Sequence, residues 1–248
     1  MAKSYIVGNW KMNQTRHELN EFFGHLETEG LSEGNFWVAP QFIHIQTCLE
    51  KSNKVPLKIG AQNCSENTSG AFTGEISPTS LSDIGARFVI IGHSERRSIF
   101  KESDELVNSK VKAAMDTNLV PILCVGETLE ERESNKTMDI VLNQVSEGLK
   151  GVELSSEEQI IVAYEPVWAI GTGKTATPDQ AEQVHAEIRN RLVELYPECG
   201  QQISILYGGS VKPNNIKDLL AQPNINGGLV GGASLKAQDF LALCRAIN

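Results

Sequence analysis

Short apolar runs alternate along this chain with longer stretches in which apolar positions recur every three or four residues. The runs are Tyr5-Ile6-Val7-Gly8, Phe36-Trp37-Val38-Ala39, Leu57-Lys58-Ile59-Gly60-Ala61 and Phe88-Val89-Ile90-Ile91-Gly92. Four more are Val120-Pro121-Ile122-Leu123-Cys124-Val125, Ile160-Ile161-Val162-Ala163, Ile203-Ser204-Ile205-Leu206-Tyr207 and Gly228-Leu229-Val230-Gly231. Apolar segments of this length read as strands buried on both faces, as in a parallel sheet. Between them, Leu19, Phe22, Phe23 and Leu26 share one helical face, and Met138, Val141, Leu142, Val145 and Leu149 share another. The sharpest helix start is Thr177-Pro178-Asp179-Gln180, with a threonine cap, proline at the first helical position and glutamine three residues after the cap. Ala181, Val184, Ile188 and Leu192 continue that helix's apolar face, and Ser77-Pro78 reads as another start.

Eight strands alternating with helices imply parallel pairing through right-handed crossovers. An open doubly wound sheet and a closed (β/α)8 barrel both satisfy this. Eight strands in 248 residues favour the barrel, an α/β fold of eight parallel strands surrounded by helices. No Ser/Gly linker, charge block or low-complexity tract divides residues 1–248, so the chain reads as one domain.

Composition narrows the class of partner. An apolar fraction of 40% suffices for one large core, and a formal net charge of −9 argues against nucleic acid or an anionic membrane. An anionic ligand must therefore find its positive field locally. No run approaches the ~18–20 apolar residues of a membrane-spanning helix, and Met1-Ala2-Lys3-Ser4 leads into a strand pattern rather than a signal peptide. Five scattered cysteines without a Cys-x-x-Cys pair read as reduced thiols, which places the expected location in the cytoplasm. The five histidines carry no metal-ligand set, so no metal is expected.

In a barrel, function belongs at the C-terminal ends of the strands. The sixth run gives out at a carboxylate, Glu165, followed at once by Pro166, which biases Glu165 away from helical geometry. The segment Pro166, Val167, Trp168, Ala169, Ile170, Gly171, Thr172, Gly173, Lys174, Thr175 and Ala176 fits two readings. It is a tight loop whose tryptophan plugs the core, or a lid that closes as a unit and excludes water. Gly171-Thr172-Gly173-Lys174-Thr175 superficially matches a nucleotide P-loop, but that motif needs a glycine where Trp168 stands.

After the first run, Asn9-Trp10-Lys11-Met12-Asn13 offers a lysine that fits a phosphate counter-charge, a Schiff-base nucleophile or an exposed surface residue. After the fourth, His93-Ser94-Glu95 offers a histidine that fits either a catalyst or a satisfied structural group. Its His-x-Glu spacing occurs in zinc deaminases, but their Pro-Cys-x-x-Cys half is absent. The last two runs end in Gly208-Gly209-Ser210 and Gly231-Gly232-Ala233-Ser234, each leading toward a helical segment. Paired glycine turns there suit a phosphate, because backbone N–H groups converge and missing side chains let the anion approach. A carboxylate is a competent base for a C–H proton beside a carbonyl, and an imidazole or ammonium can polarise that carbonyl as enediolate charge develops.

At these residues the chain resembles the triosephosphate isomerase family over nearly its whole length. The motifs are Gly8 to Asn13, Gly70-Ala71-Phe72-Thr73-Gly74-Glu75, Gly92 to Arg97, Tyr164 to Lys174, Tyr207 to Ser210 and Leu229 to Gly232. The resemblance implies interconversion of dihydroxyacetone phosphate and D-glyceraldehyde 3-phosphate in glycolysis and gluconeogenesis, without cofactor. It implies Glu165 as the base, His93 as the electrophile, and Lys11 and Asn9 as added field and hydrogen bond. Backbone N–H groups of Gly171, Ser210, Gly231 and Gly232 would meet the phosphate, and Glu95 would orient its neighbours or join the chemistry. The glutamate base, a neutral histidine and loop closure are this family's established features and come only with the resemblance. So does a homodimer whose Gly70–Glu75 loop brings Thr73 near Lys11 and His93 of the other copy. Alkylation of Cys124, or of Cys64 in that presumed interface loop, is then expected to weaken assembly. Two other readings are an aldolase forming a Schiff base on Lys11 and a phosphate-binding barrel without turnover.

Overall fold

Each apolar run becomes a strand: β1 (Tyr5–Asn9), β2 (Phe36–Ala39), β3 (Lys58–Ile59), β4 (Phe88–Ile91), β5 (Val120–Val125), β6 (Ile161–Tyr164), β7 (Ser204–Tyr207) and β8 (Gly227–Val230). This computed structural model describes residues 2–170 and 176–247. The strands pair in parallel in the order β3-β2-β1-β8-β7-β6-β5-β4. The ends of that order meet where Ala61 bridges Val89. There the Ala61 N–H donates to the Phe88 carbonyl at 3.0 Å and the Ile90 N–H to the Ala61 carbonyl at 2.9 Å. The ring is thereby completed and the barrel, rather than the open sheet, is the architecture. Pairing of β3 with β2 stops at Ile59, earlier than the apolar run, because the chain there turns to meet β4.

Successive side chains on each strand serve two cores. Tyr5, Val7, Trp37, Ala39, Phe88, Ile90, Ile122, Cys124, Ile161, Ala163, Leu206 and Leu229 fill the barrel interior. Their neighbours Ile6, Val38, Val89, Ile91, Leu123, Val162 and Ile205 face outward against the helices. The helix Arg16–Glu29 presents Leu19, Phe22, Phe23 and Leu26 to that outer layer, and burying side chains of this kind contributes roughly 1.5–3 kcal/mol each. In Thr137–Gly148 the buried face is Val141, Val145 and Gly148. Leu142 is left half-exposed in a surface groove beside Arg191, so that predicted face is narrower than the pattern implied. The Thr177 cap is reciprocal: its hydroxyl accepts the Gln180 N–H at 3.2 Å, while the Gln180 carbonyl oxygen accepts the Thr177 N–H at 3.0 Å. That box starts the helix Pro178–Leu195, and Ser77 caps Pro78–Asp83. Among the described residues no helix is long and apolar enough to cross a membrane.

The expected reactivity of two cysteines is corrected. Cys124 lies inside the barrel and Cys64 in the outer core, both with no exposed surface. Burial pushes the Cys64 thiol up to about 12 and the Cys124 thiol well above its ordinary value. Neither is presented at a surface where alkylation would act on assembly.

Candidate active site

The C-terminal rim is assembled from residues at or just past the ends of β1, β4, β6, β7 and β8. Asn9 ends β1 and is buried, and Lys11 follows with φ of +50°. A left-handed backbone at a non-glycine residue costs on the order of 1–3 kcal/mol and persists only where neighbours enforce it. Here the Lys11 N–H donates to Asn9 Oδ1 at 3.1 Å, and Gln62 Nε2 donates to the Lys11 carbonyl at 2.9 Å. Lys11 Nζ donates to Glu95 Oε1 at 2.6 Å, which directs the ammonium across the mouth.

His93 follows β4 and caps the helix Ser94–Ile99: its Nδ1 accepts the Glu95 N–H at 3.2 Å. That contact assigns the ring proton to Nε2, which lies 3.0 Å from Glu165 Oε1. Glu165 Oε2 accepts the Ser94 N–H at 2.9 Å. Burial of Glu165 disfavours its charge, but the His93 partner, the Ser94 N–H and Lys11 outweigh that and hold the carboxyl below its ordinary value. At His93 burial opposes protonation and the Glu165 charge favours it, with the charge prevailing to raise the ring's value. The Glu95 N–H on Nδ1 leaves no lone pair for a second proton without breaking a hydrogen bond. The pair is therefore an ionised carboxylate facing a neutral Nε2–H.

The backbone beneath Glu165 is tightly fixed. The Glu165 N–H donates to the Val125 carbonyl at 2.8 Å, and the Gly208 N–H to the Tyr164 carbonyl at 2.7 Å. A Cβ on Gly126 would stand 1.8 Å from the Glu165 carbonyl oxygen, and one on Gly208 2.7 Å from Glu165 Cγ. These two glycines make the space for the Glu165 backbone and the stem of its side chain.

The chain past Glu165 enters a one-turn helix over Val167–Ala169. Trp168 packs against the outer core, and its Nε1 donates to Glu127 Oε1 at 2.9 Å. Glu127 is fully buried and also accepts from Tyr164 Oη at 3.1 Å and Arg132 at 3.1 Å. The start of the predicted lid, Pro166 to Ile170, is thus anchored through its tryptophan, and Ala176 at its end is buried. Gly171, Thr172, Gly173, Lys174 and Thr175, including the phosphate role expected of Gly171, lie outside the described residues.

Ser210, Gly231 and Gly232 line the same cavity of about 720 Å³ as Asn9, Lys11, His93 and Glu165. Gly231 opens toward the lysine: a Cβ there would lie 3.8 Å from Lys11 Cε. The turn after β8 enters a one-turn helix at Gly232–Ser234. The turn after β7 does not lead straight into a helix as expected. The next helix, Ile216–Leu220, begins later, and Asn215 pins the intervening loop by accepting the Lys212 N–H at 2.8 Å and donating to the Ser210 carbonyl at 2.9 Å. Glu95 sits between Lys11 and His93, with its second oxygen 3.7 Å from His93 Nδ1. Thr73 stands on an exposed loop and does not line this cavity.

Sequence reasoning missed Gly126 and Glu127 as parts of the site, and it gave Ser94 and Gly208 no role in seating Glu165. Ser94 adjoins His93, Gly126 and Glu127 directly follow the fifth apolar run, and Gly208 follows the seventh. Reading every residue at a strand end, rather than the chemically reactive ones, finds all four.

An eight-stranded barrel with a buried carboxylate–imidazole pair, a lysine and two glycine turns in one C-terminal cavity is an acid–base barrel enzyme. The triosephosphate isomerase family model matches residues 4–247. Triosephosphate isomerase of Carboxydothermus hydrogenoformans is 51% identical over 251 residues, covering 99% of each chain. That of Syntrophotalea carbinolica is 49% identical over 248 residues, covering 99% of this chain and 98% of its own. A crystal structure of triosephosphate isomerase from Bartonella henselae superposes with a TM-score of 0.89 at 41% identity, covering 98% of each chain. This chain belongs to the triosephosphate isomerase family, and it is an intramolecular isomerase.

Proposed function

We propose that Glu165, His93 and Lys11 carry the interconversion of dihydroxyacetone phosphate and D-glyceraldehyde 3-phosphate in this chain, a step of glycolysis and gluconeogenesis. The observation that supports this most is the 3.0 Å approach of Glu165 Oε1 to His93 Nε2, in a cavity that Lys11 shares. Substrate entering that cavity displaces the Glu165–His93 contact. The freed carboxylate takes the C1 proton of dihydroxyacetone phosphate, and the C–H electron pair becomes the enediolate double bond. Negative charge gathers on the C2 oxygen, where the His93 Nε2–H and the Lys11 ammonium stabilise it. His93 gives its Nε2 proton to the C2 oxygen and takes up the C1 hydroxyl proton in its place, while Glu165 returns its proton to C2, giving the aldehyde at C1 and a hydroxyl at C2. Every group that acts in this sequence is a side chain of this chain.

Ser210, Gly231 and Gly232 hold the phosphate through backbone N–H groups, and Asn9 contributes its amide. Glu95 orients Lys11. The segment Pro166 to Ala176 closes over the substrate and keeps water from an enediolate that would otherwise expel phosphate. A coupled assay for glyceraldehyde 3-phosphate with Glu165→Gln tests the base.

The same reading extends to a homodimer. Met12, Phe42, Ile43, Phe72, Ile99 and Phe100 are all exposed apolar side chains. A cavity of about 350 Å³ beside Lys11, Met12, Glu95 and Phe100 suits a loop tip such as Phe72-Thr73 of a second copy. Sedimentation at twice the chain mass is expected; a single-chain mass at micromolar concentration would contradict it. With five free thiols, the cytoplasm is the proposed location.

A further inference from the structure

We propose that Gln144 is a positioning residue for the base, because its amide clamps the Gly126 peptide on which Glu165 and the first turn of the lid segment rest. This inference rests on the reading of Glu165 as the base.

The ladder between β5 and β6 ends with the Glu165 N–H on the Val125 carbonyl. One residue later the Gly126 peptide meets a side chain instead of a strand. Gln144, on the helix Thr137–Gly148, accepts the Gly126 N–H at its Oε1 at 2.7 Å and donates Nε2 to the Gly126 carbonyl at 3.3 Å. One amide thus supplies the donor and the acceptor that a neighbouring strand would have given.

The peptide held in this way has contacts in two directions. Toward the base, the Gly126 backbone is packed so closely that even a Cβ would stand 1.8 Å from the Glu165 carbonyl oxygen. Toward the lid segment, the next residue, Glu127, accepts the Val167 N–H at 3.1 Å on its carbonyl and the Trp168 indole on its carboxylate. A shift of Gly126 therefore moves the base and the Trp168 anchor together.

Packing alone does not prevent such a shift. A cavity of about 200 Å³, lined by Ser94, Ser98, Thr128, Gln144 and Glu165, lies against Gly126 and gives it room to move. With space on that side, the two hydrogen bonds of Gln144 fix the peptide. Gln144 itself does not line the substrate cavity.

Three variants test this. Gln144→Met keeps the length and removes both bonds. Gln144→Glu keeps the acceptor for the shorter bond and loses the donor. Glu165→Gln serves as the reference for loss of the base. Misplacing a catalytic group by an ångström costs up to about 100-fold. For the partial displacement expected here, Gln144→Met should lower kcat by about tenfold with KM within about twofold of the parent. Gln144→Glu should lose less, about threefold, because one bond survives. The proposal is overturned if Gln144→Met keeps parental kcat, if the loss appears in KM instead, or if Met and Glu are equally impaired. An inactive Glu165→Gln beside a parental Gln144→Met would reject the clamp alone. An active Glu165→Gln would reject the base assignment, and the clamp with it.

Discussion

At the N-terminal end of the barrel, Tyr5 meets Trp37 edge to face at 4.9 Å and Trp37 stacks on Phe88 at 4.8 Å. At the C-terminal end, β1, β4 and β6 deliver Asn9, His93 and Glu165 to an open cavity of about 720 Å³. Polar groups are treated differently at the two ends. Near the floor, buried Arg189 is held by three hydrogen bonds: its guanidinium donates to the Gly200 carbonyl at 2.7 Å, the Ile203 carbonyl at 2.5 Å and Asn226 Oδ1 at 3.0 Å. At the mouth, the Lys11 ammonium has Glu95 as its bonded partner and opens onto the cavity. Stability is concentrated where apolar rings fill the barrel, and chemistry where charges are buried but left partly unspent.

Substitutions at the two ends should therefore have separable effects. The largest is expected at the floor. Trp37→Ala removes the ring that joins Tyr5 to Phe88 and should lower unfolding free energy by about 3–5 kcal/mol. Urea denaturation measures this, and turnover per folded molecule should stay within about threefold. A collapse of turnover at unchanged stability would break the division between the ends.

At the mouth the reverse is expected. Lys11→Met should cost about 10²–10³-fold in kcat, the scale of one preorganised stabiliser of developing oxyanion charge, with a melting midpoint within a few degrees of the parent. The same residue separates the isomerase from an aldolase. Borohydride added during turnover should leave Lys11 unmodified, and a reduced substrate adduct on it would favour the Schiff-base reading.

The smallest effect concerns His185, buried on the outer side of the barrel between Tyr164 and Tyr207. Its Nδ1 pairs with the Asn224 carbonyl at 3.1 Å, and burial depresses its pKa to about 4. An unfolded histidine takes its proton near pH 6.5, so the unfolded chain binds more protons between those values. Stability contributed by the neutral ring is complete above about pH 6.5 and drains away as pH falls toward 4, by roughly 3 kcal/mol at about 1.4 kcal/mol per pKa unit. Urea midpoints from pH 7 to 4.5 should fall more steeply for the parent than for His185→Phe. Parallel curves would contradict the assignment.

Much of the framework was legible before any coordinates. Buried parallel strands are continuous apolar runs, and caps such as Thr177 and Ser77 act on residues three positions away, so both leave local marks in the sequence. Lys11, His93 and Glu165 stood out because strand-end placement selects them. The parts that did not show depend on pairing across the fold. Glu127 is joined to Trp168 over 41 positions and Gly126 to Gln144 over 18, and neither spacing has a periodic signature. The early end of β3 and the bridge from Ala61 to Val89 follow from ring closure, which no single run records.

The proposed base is the Glu165 carboxylate. Glu165→Gln keeps the shape and the packing between Gly126 and Gly208, and removes only the charge. In a coupled assay for glyceraldehyde 3-phosphate beside the parent, its kcat should fall by about 10²–10⁴-fold, the usual scale of a general base, with thermal stability nearly unchanged. A variant that turns over within a few-fold of the parent would contradict it.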